Sequence, residues 1–234
     1  MAGPRNIAIL RTGEPPGHLI PRFGHYDTMF AAMLGEGFAT ATYDVVAGAY
    51  PKTAADHHAY LITGSRAGVY DALPWIDPLR QFLRDAKGEA KLVGICFGHQ
   101  IMAEAFGGKV AKSELGWGAG LHRYQVREQA GWMDDAASFA VPVSHQDQVI
   151  VQPPSTRILA GSDFSPFGLL AYDDQPAISF QPHPEFDPAY ARELIEARRD
   201  FLPESDGAIA SLDLPNDRDQ VAGWIRKFLR TKRP

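Results

Sequence analysis

A chain of 234 residues with 45% hydrophobic and 22% charged side chains has the make-up of a globular protein that can bury most of its apolar surface. Its net charge of -5 lacks the basic excess that a nucleic-acid partner requires, and no run of about 18 apolar residues offers a membrane span. One cysteine excludes an internal disulfide, and an N-terminus unlike a signal peptide makes the cytoplasm the expected compartment.

In chain order, Ile7 to Leu10 reads as a first buried strand, followed by the loop Thr12 to His18 and a helix from Asp27 to Leu34. Ala59 to Thr63 reads as a second strand that ends in a glycine loop, Gly64 to Gly68. A helix over Asp77 to Ala86 places Leu79, Phe82 and Leu83 on one face. Lys91 to Ile95 is a third strand, and Gly98 to Phe106 a helix closed by Gly107-Gly108. Short strand-like runs then dominate: Val110, Tyr124 to Val126, Val141 to Val143, Val149 to Val151, Leu169 to Tyr172 and Ala177 to Phe180. Two helices close the chain, Pro188 to Arg199 and Asp217 to Arg230. Strands alternating with helices predict an α/β fold built on a mainly parallel, doubly wound sheet, with a small β-rich layer from Gly108 to Phe180. No linker interrupts the chain, so residues 1–234 are expected to form a single domain.

The most informative segment is Gly94-Ile95-Cys96-Phe97-Gly98-His99-Gln100, where an apolar strand meets a Gly-flanked cysteine and a helical pattern follows. This is the layout of a nucleophile elbow: the tight turn lifts the side chain out of the sheet, and glycines let strand and helix cross closely. A helix N-terminus beneath the sulfur favours the reactive thiolate. A cysteine nucleophile needs a base and acid, which one histidine can supply, and that histidine needs an acceptor to orient it. Gln181-Pro182-His183-Pro184-Glu185 follows an apolar strand and offers the pair. Flanking prolines predict extended backbone, in which His183 and Glu185 share one side. Among the other histidines, His145 is the competitor for the base. His57-His58 are expected at the surface, His18, His25 and His122 in loops or edge strands, and His99 in a local ordering role inside the elbow helix. No H-E-x-x-H, Cys-His cluster or acidic loop appears, so no metal is expected.

The segment around Cys96 resembles the nucleophile signature of class I (triad-type) glutamine amidotransferases, and His183-Pro184-Glu185 resembles that family's second signature. The resemblance runs from about Ile7 to about Arg199, and the whole chain resembles the stand-alone members, GMP-synthase-like amidotransferases and γ-glutamyl peptidases among them. It implies a flavodoxin-like fold, Cys96 as nucleophile, His183 as acid and base, and Glu185 as its orienter. The elbow itself offers the N–H of Phe97 to an oxyanion, and a neighbouring strand end should supply a second donor. The resemblance points to Gly64 for it. Gln100, one helical turn beyond Cys96, can face the same pocket, and by resemblance it contacts the substrate. Ser144-His145-Gln146-Asp147 and Gly116-Trp117 resemble further pocket segments, which implies substrate contacts from Ser144, His145, Asp147, Gly116 and Trp117.

The expected reaction is hydrolysis of a glutamine side-chain amide through a γ-glutamyl thioester, with no organic cofactor. No G-x-x-x-x-G-K-[ST] phosphate loop is present. Ammonia would therefore pass to a synthetase partner in trans, or the enzyme would act as a γ-glutamyl peptidase or hydrolase on substituted amides. A catalytically silent binding protein is a third reading, against which the intact triad speaks.

Overall fold

The computed structural model describes residues 4–202 and 204–231. The first half of the chain gives β1 (Arg5–Arg11), α1 (Ile20–Phe23), α2 (Tyr26–Leu34), β2 (Phe38–Asp44), β3 (Ala59–Ile62), α3 (Ile76–Asp85), β4 (Lys91–Ile95) and α4 (Phe97–Ala105). The second half gives β5 (Lys109–Lys112), β6 (Gly118–Val126), β7 (Ser138–His145), β8 (Asp147–Val151), β9 (Thr156–Gly161), β10 (Leu169–Tyr172), β11 (Ala177–Phe180), α5 (Pro188–Glu196), α6 (Ser205–Ser211) and α7 (Arg218–Arg230).

Nine strands form one sheet in the order β2-β1-β3-β4-β11-β10-β9-β6-β7. From β2 to β11 neighbouring strands run parallel; from β11 to β7 they run antiparallel. The α/β expectation therefore holds, and the parallel strands carry the segments around Cys96 and His183. The β-rich stretch continues this same sheet beyond β11, and among the described residues only β5 and β8 pair apart from it, as an antiparallel ribbon.

Continuous apolar runs make the central strands because helices cover both faces. Ile7 and Ile9 face one core and Ala8 and Leu10 the other; Leu61, Val93 and Ile95 alternate in the same way with Tyr60, Ile62 and Leu92. Helix α7 packs Val221, Trp224, Ile225, Phe228 and Leu229 into the first core, as its apolar stripe predicts. Helix α3 packs Leu79 and Leu83 into the second. Lys91, fully buried at the start of β4, donates from Nζ to the carbonyls of Phe228 (2.9 Å) and Thr231 (2.6 Å). The cation thus satisfies carbonyls at the C-terminal end of α7, where a positive charge is favourable.

Two strands escape the sequence pattern. β2 reads Phe-Ala-Thr-Ala-Thr-Tyr-Asp and lies at the sheet edge without a fully buried residue. β9 carries Arg157 amid its apolar residues. His57 is also not at the surface as expected: it is buried, its Nε2 lies 2.9 Å from the Tyr43 hydroxyl, and its ring meets Tyr43 and Tyr60 edge-on. Packing against aromatics explains the burial, which its polar neighbours in sequence conceal.

Candidate active site

Three adjacent parallel strands bring the site together at their carboxyl ends, where open α/β sheets place their ligands. Ile62 of β3 pairs with Gly94 of β4, and Phe180 of β11 pairs with Ile95. Gly64, Cys96 and His183 therefore leave neighbouring strands within a few residues of one level.

Cys96 caps α4 with φ +53° and ψ −103°, one of two positive-φ non-glycine residues among those described. Such backbone costs about 1–3 kcal/mol and persists only where the surroundings enforce it. Here the Cys96 N–H donates to Phe180 O (2.8 Å), and the Gly98 N–H donates to Thr63 O (3.1 Å). The turn is thus tied to both flanking strands. The glycines permit the crossing: a Cβ on Gly94 would collide with the Gly98 carbonyl and the Met102 sulfur, and a Cβ on Gly98 with the Ile62 carbonyl.

His183 follows β11, and its N–H donates to Pro142 O (2.9 Å). Its Nδ1 lies 2.7 Å from Glu185 Oε1, with both residues buried. The route differs from the extended backbone expected. The Phe186 N–H donates back to His183 O (3.2 Å), so residues 183–186 form a turn, and the turn rather than strand alternation brings the carboxylate to the Nδ1 edge of the ring. Phe186 stacks on the imidazole with centroids 3.9 Å apart and planes 7° off parallel, and Tyr26 in turn stacks on Phe186. Burial alone would push the His183 pKa down. The carboxylate of Glu185 and the sulfur of Cys96 outweigh it and hold the imidazolium up to about 10. His145, in contrast, is driven down to about 3 by burial and by the neighbouring imidazoles of His122, His183 and His99. It is neutral at physiological pH, and its Nδ1–H donates to Asp147 O (3.1 Å).

Gly64 lies against the pair: a Cβ there would sit 3.1 Å from His183 Cε1 and 3.8 Å from Cys96 Cβ. Among the described residues, the N–H groups of Gly64 and Phe97 have no hydrogen-bond acceptor. The loop at Gly64 is braced by Thr12, whose hydroxyl lies 3.0 Å from both the Thr63 and Gly64 carbonyls.

A cavity of about 600 Å³ opens beside Cys96. Of the residues singled out in the sequence, Cys96, Gln100, Ser144, His145, Asp147 and Trp117 line it. Gly116 does not; it sits in the turn before β6 with φ +80°, its N–H donating to Ser113 O (3.1 Å). Gln100 Nε2 donates to Asp147 O (2.7 Å) and to Gln181 Oε1 (3.2 Å), so its amide joins α4 to the β7–β8 corner. His99 is fully buried, with Nδ1 2.8 Å from Ser179 Oγ, in the ordering position expected of it. His18, from the loop after β1, reaches the cavity rim. Tyr70 and Arg198 also line the wall, and no motif signals either of them. Phe186 could have been found, since it directly follows the His-Pro-Glu segment. Among the described residues, no group of three or more His, Cys, Asp or Glu could hold a metal ion, and no helix is long and apolar enough to cross a membrane.

An elbow cysteine facing a carboxylate-bound histidine at the ends of parallel strands matches the family to which the sequence pointed. The family model "Glutamine amidotransferase class-I" covers residues 55–198, more than half of the chain, and the chain belongs to that enzyme family. A glutamine amidotransferase of known structure from Thermotoga maritima superimposes with a TM-score of 0.76 over 96% of each chain, at 16% identity. Gamma-glutamyl peptidase 5 of Arabidopsis thaliana is 31% identical over 89% of this chain and 88% of its own. The glutamine-hydrolyzing GMP synthase of Methanopyrus kandleri has a subunit that is 34% identical over 45% of this chain and 57% of its own.

Proposed function

We infer that the chain cleaves the side-chain amide of glutamine and of substituted γ-glutamyl amides through a thioester on Cys96. The observation that carries this reading is the meeting of a strained, cavity-lining cysteine with the buried His183–Glu185 pair. The Cys96 sulfur attacks the γ-carbonyl carbon, and the N–H groups of Phe97 and Gly64 receive the oxyanion. As the C–N bond breaks, the His183 imidazolium gives its proton to the departing nitrogen, which leaves as ammonia or an amine. His183, now neutral, takes a proton from water. The hydroxide adds to the thioester carbon, the C–S bond breaks, and glutamate leaves with the sulfur and imidazolium restored. Glu185 holds the Nδ1–H and steadies the positive ring throughout. Gln100, Ser144, His145, Asp147 and Trp117 form the substrate wall.

A cavity of about 600 Å³ has room for more than a glutamine molecule, which favours substituted amides beside glutamine itself. Similarity to a γ-glutamyl peptidase along most of both chains supports the same choice. The shorter match to part of a GMP synthase favours a second reading, in which ammonia passes to a synthetase bound in trans. Steady-state release of ammonia from glutamine, and of amine from a panel of γ-glutamyl dipeptides, tests both. The first reading predicts turnover of the dipeptides by the chain alone. Turnover of glutamine only, and only with an added synthetase, would reverse the order of the two readings. Silence toward every γ-glutamyl amide would remove both.

A further inference from the structure

Three basic side chains line the cavity: Arg66, Lys112 and Arg198. Arg66 and Lys112 are exposed. Arg198, just beyond α5, is half-buried and held from two sides. Its Nη1 donates to Ser144 Oγ at 2.7 Å, and its guanidinium carbon lies 5.6 Å from the centre of the Trp117 ring. Among the described residues, Ser144 Oγ is the one acceptor the guanidinium uses, and no carboxylate neutralises it. The next residue shows the opposite arrangement: Arg199 donates to Glu196 (2.8 and 2.9 Å) and to Asp206 (2.7 Å). Two adjacent arginines thus divide, one neutralised at the surface and one keeping its charge on the cavity wall.

A guanidinium fixed through one nitrogen and one face, with its other N–H groups unused, is preorganised for a carboxylate. The same cavity presents the opposite charge at Asp147, whose Oδ2 accepts from the Tyr70 hydroxyl at 2.9 Å. A cation and an anion in one cavity complement the zwitterionic head of an α-amino acid. We propose that Arg198 binds the α-carboxylate of the γ-glutamyl substrate, with Ser144 and Trp117 positioning its guanidinium. Arg198 is then a specificity residue: it selects γ-glutamyl amides over amides that lack the α-carboxylate. It acts on the head group and not on the reacting carbon, so its contribution falls on KM. This inference rests on γ-glutamyl cleavage as the reaction of the site.

The test pairs R198Q and R198K with two substrates, L-glutamine and γ-aminobutyramide, which is glutamine without its α-carboxylate. The R198Q change should raise KM for glutamine by about tenfold to a hundredfold and leave kcat within about threefold. It should cost nothing further with γ-aminobutyramide, because the partner group is already gone. R198K, which keeps the charge and loses the fork, should lie between, and R199Q, whose partners Glu196 and Asp206 lie outside the cavity, should match the unmodified enzyme. Equal losses on both substrates, or a loss in kcat with KM unchanged, would overturn the assignment. Should the unmodified enzyme turn over no amide, the proposed reaction fails, but the binding inference stays testable by thermal shift. L-Glutamate should then stabilise the native protein and not R198Q, whereas γ-aminobutyrate should stabilise neither. Equal stabilisation of both proteins by glutamate would refute Arg198 as the anchor.

Discussion

The parallel and antiparallel halves of the one sheet build the site by different means. In the parallel half, Gly64, Cys96 and His183 leave adjacent strand ends, and backbone bonds from Cys96 to Phe180 and from Gly98 to Thr63 fix the turn at Cys96. At the edge of the antiparallel half, Ser144 and His145 end β7 and Asp147 opens β8 of the adjoining ribbon, held by side chains that arrive from elsewhere: Arg198 on Ser144, Tyr70 and Gln100 on Asp147. Ladder geometry makes the first region stiff and its chemistry local. The second depends on distant segments, so the proposed substrate wall can vary while the proposed reacting groups stay fixed.

Substitutions in the two halves should therefore fail differently. The largest expected effect is that of C96S, which removes the sulfur proposed as nucleophile. Turnover should fall by about 10⁴-fold or more while the folding midpoint stays near that of the parent, measured by amine release and thermal unfolding. Next comes the contrast between two buried histidines. H183Q should lose about 10²–10⁴-fold in kcat, and H145Q less than about tenfold, because His145 is held neutral and occupied by the Asp147 carbonyl. A larger loss from H145Q would move the chemistry into the antiparallel half.

A third measurement sharpens the parallel half through pH. The His183 pKa is raised from 6.5 to about 10 in the folded protein. The proton it holds therefore stabilises the native state, fully below 6.5 and progressively less as pH rises through about 10. The alkaline limb of kcat/KM should lie near that upper value and move to lower pH in E185Q, with a loss of about a hundredfold at neutral pH. An unchanged limb would mean that the carboxylate does not hold the proton. The smallest effect belongs to the wall: Y70F frees one oxygen of Asp147 and should raise KM by about threefold to tenfold with kcat unchanged.

The contrast also explains what could be read from the chain in advance. Cys96, His183 and Glu185 announce themselves because each lies in a short segment with its own local pattern, glycines on both sides of the cysteine and a His-Pro-Glu run directly after an apolar strand. The central strands, from Ile7 to Leu10 and from Lys91 to Ile95, show as apolar runs for the same local reason. Arg198 and Tyr70 carry no such signal: they meet partners 54 and 77 residues away, and only folding brings them together. The turn at 183–186 stayed hidden because prolines on both sides of His183 favour extended backbone, yet the Phe186 N–H closes back on it. Strand β2 stayed hidden because an edge strand needs no continuous apolar run.

The most direct test is rapid acid quench of the enzyme during turnover of a γ-glutamyl dipeptide, followed by mass spectrometry of its peptides. A γ-glutamyl adduct should appear on the peptide containing Cys96, persist longer in H183Q that has been acylated with an activated γ-glutamyl ester, and vanish with hydroxylamine. Turnover with no adduct on that peptide, or with an adduct on another residue, would contradict covalent catalysis by Cys96.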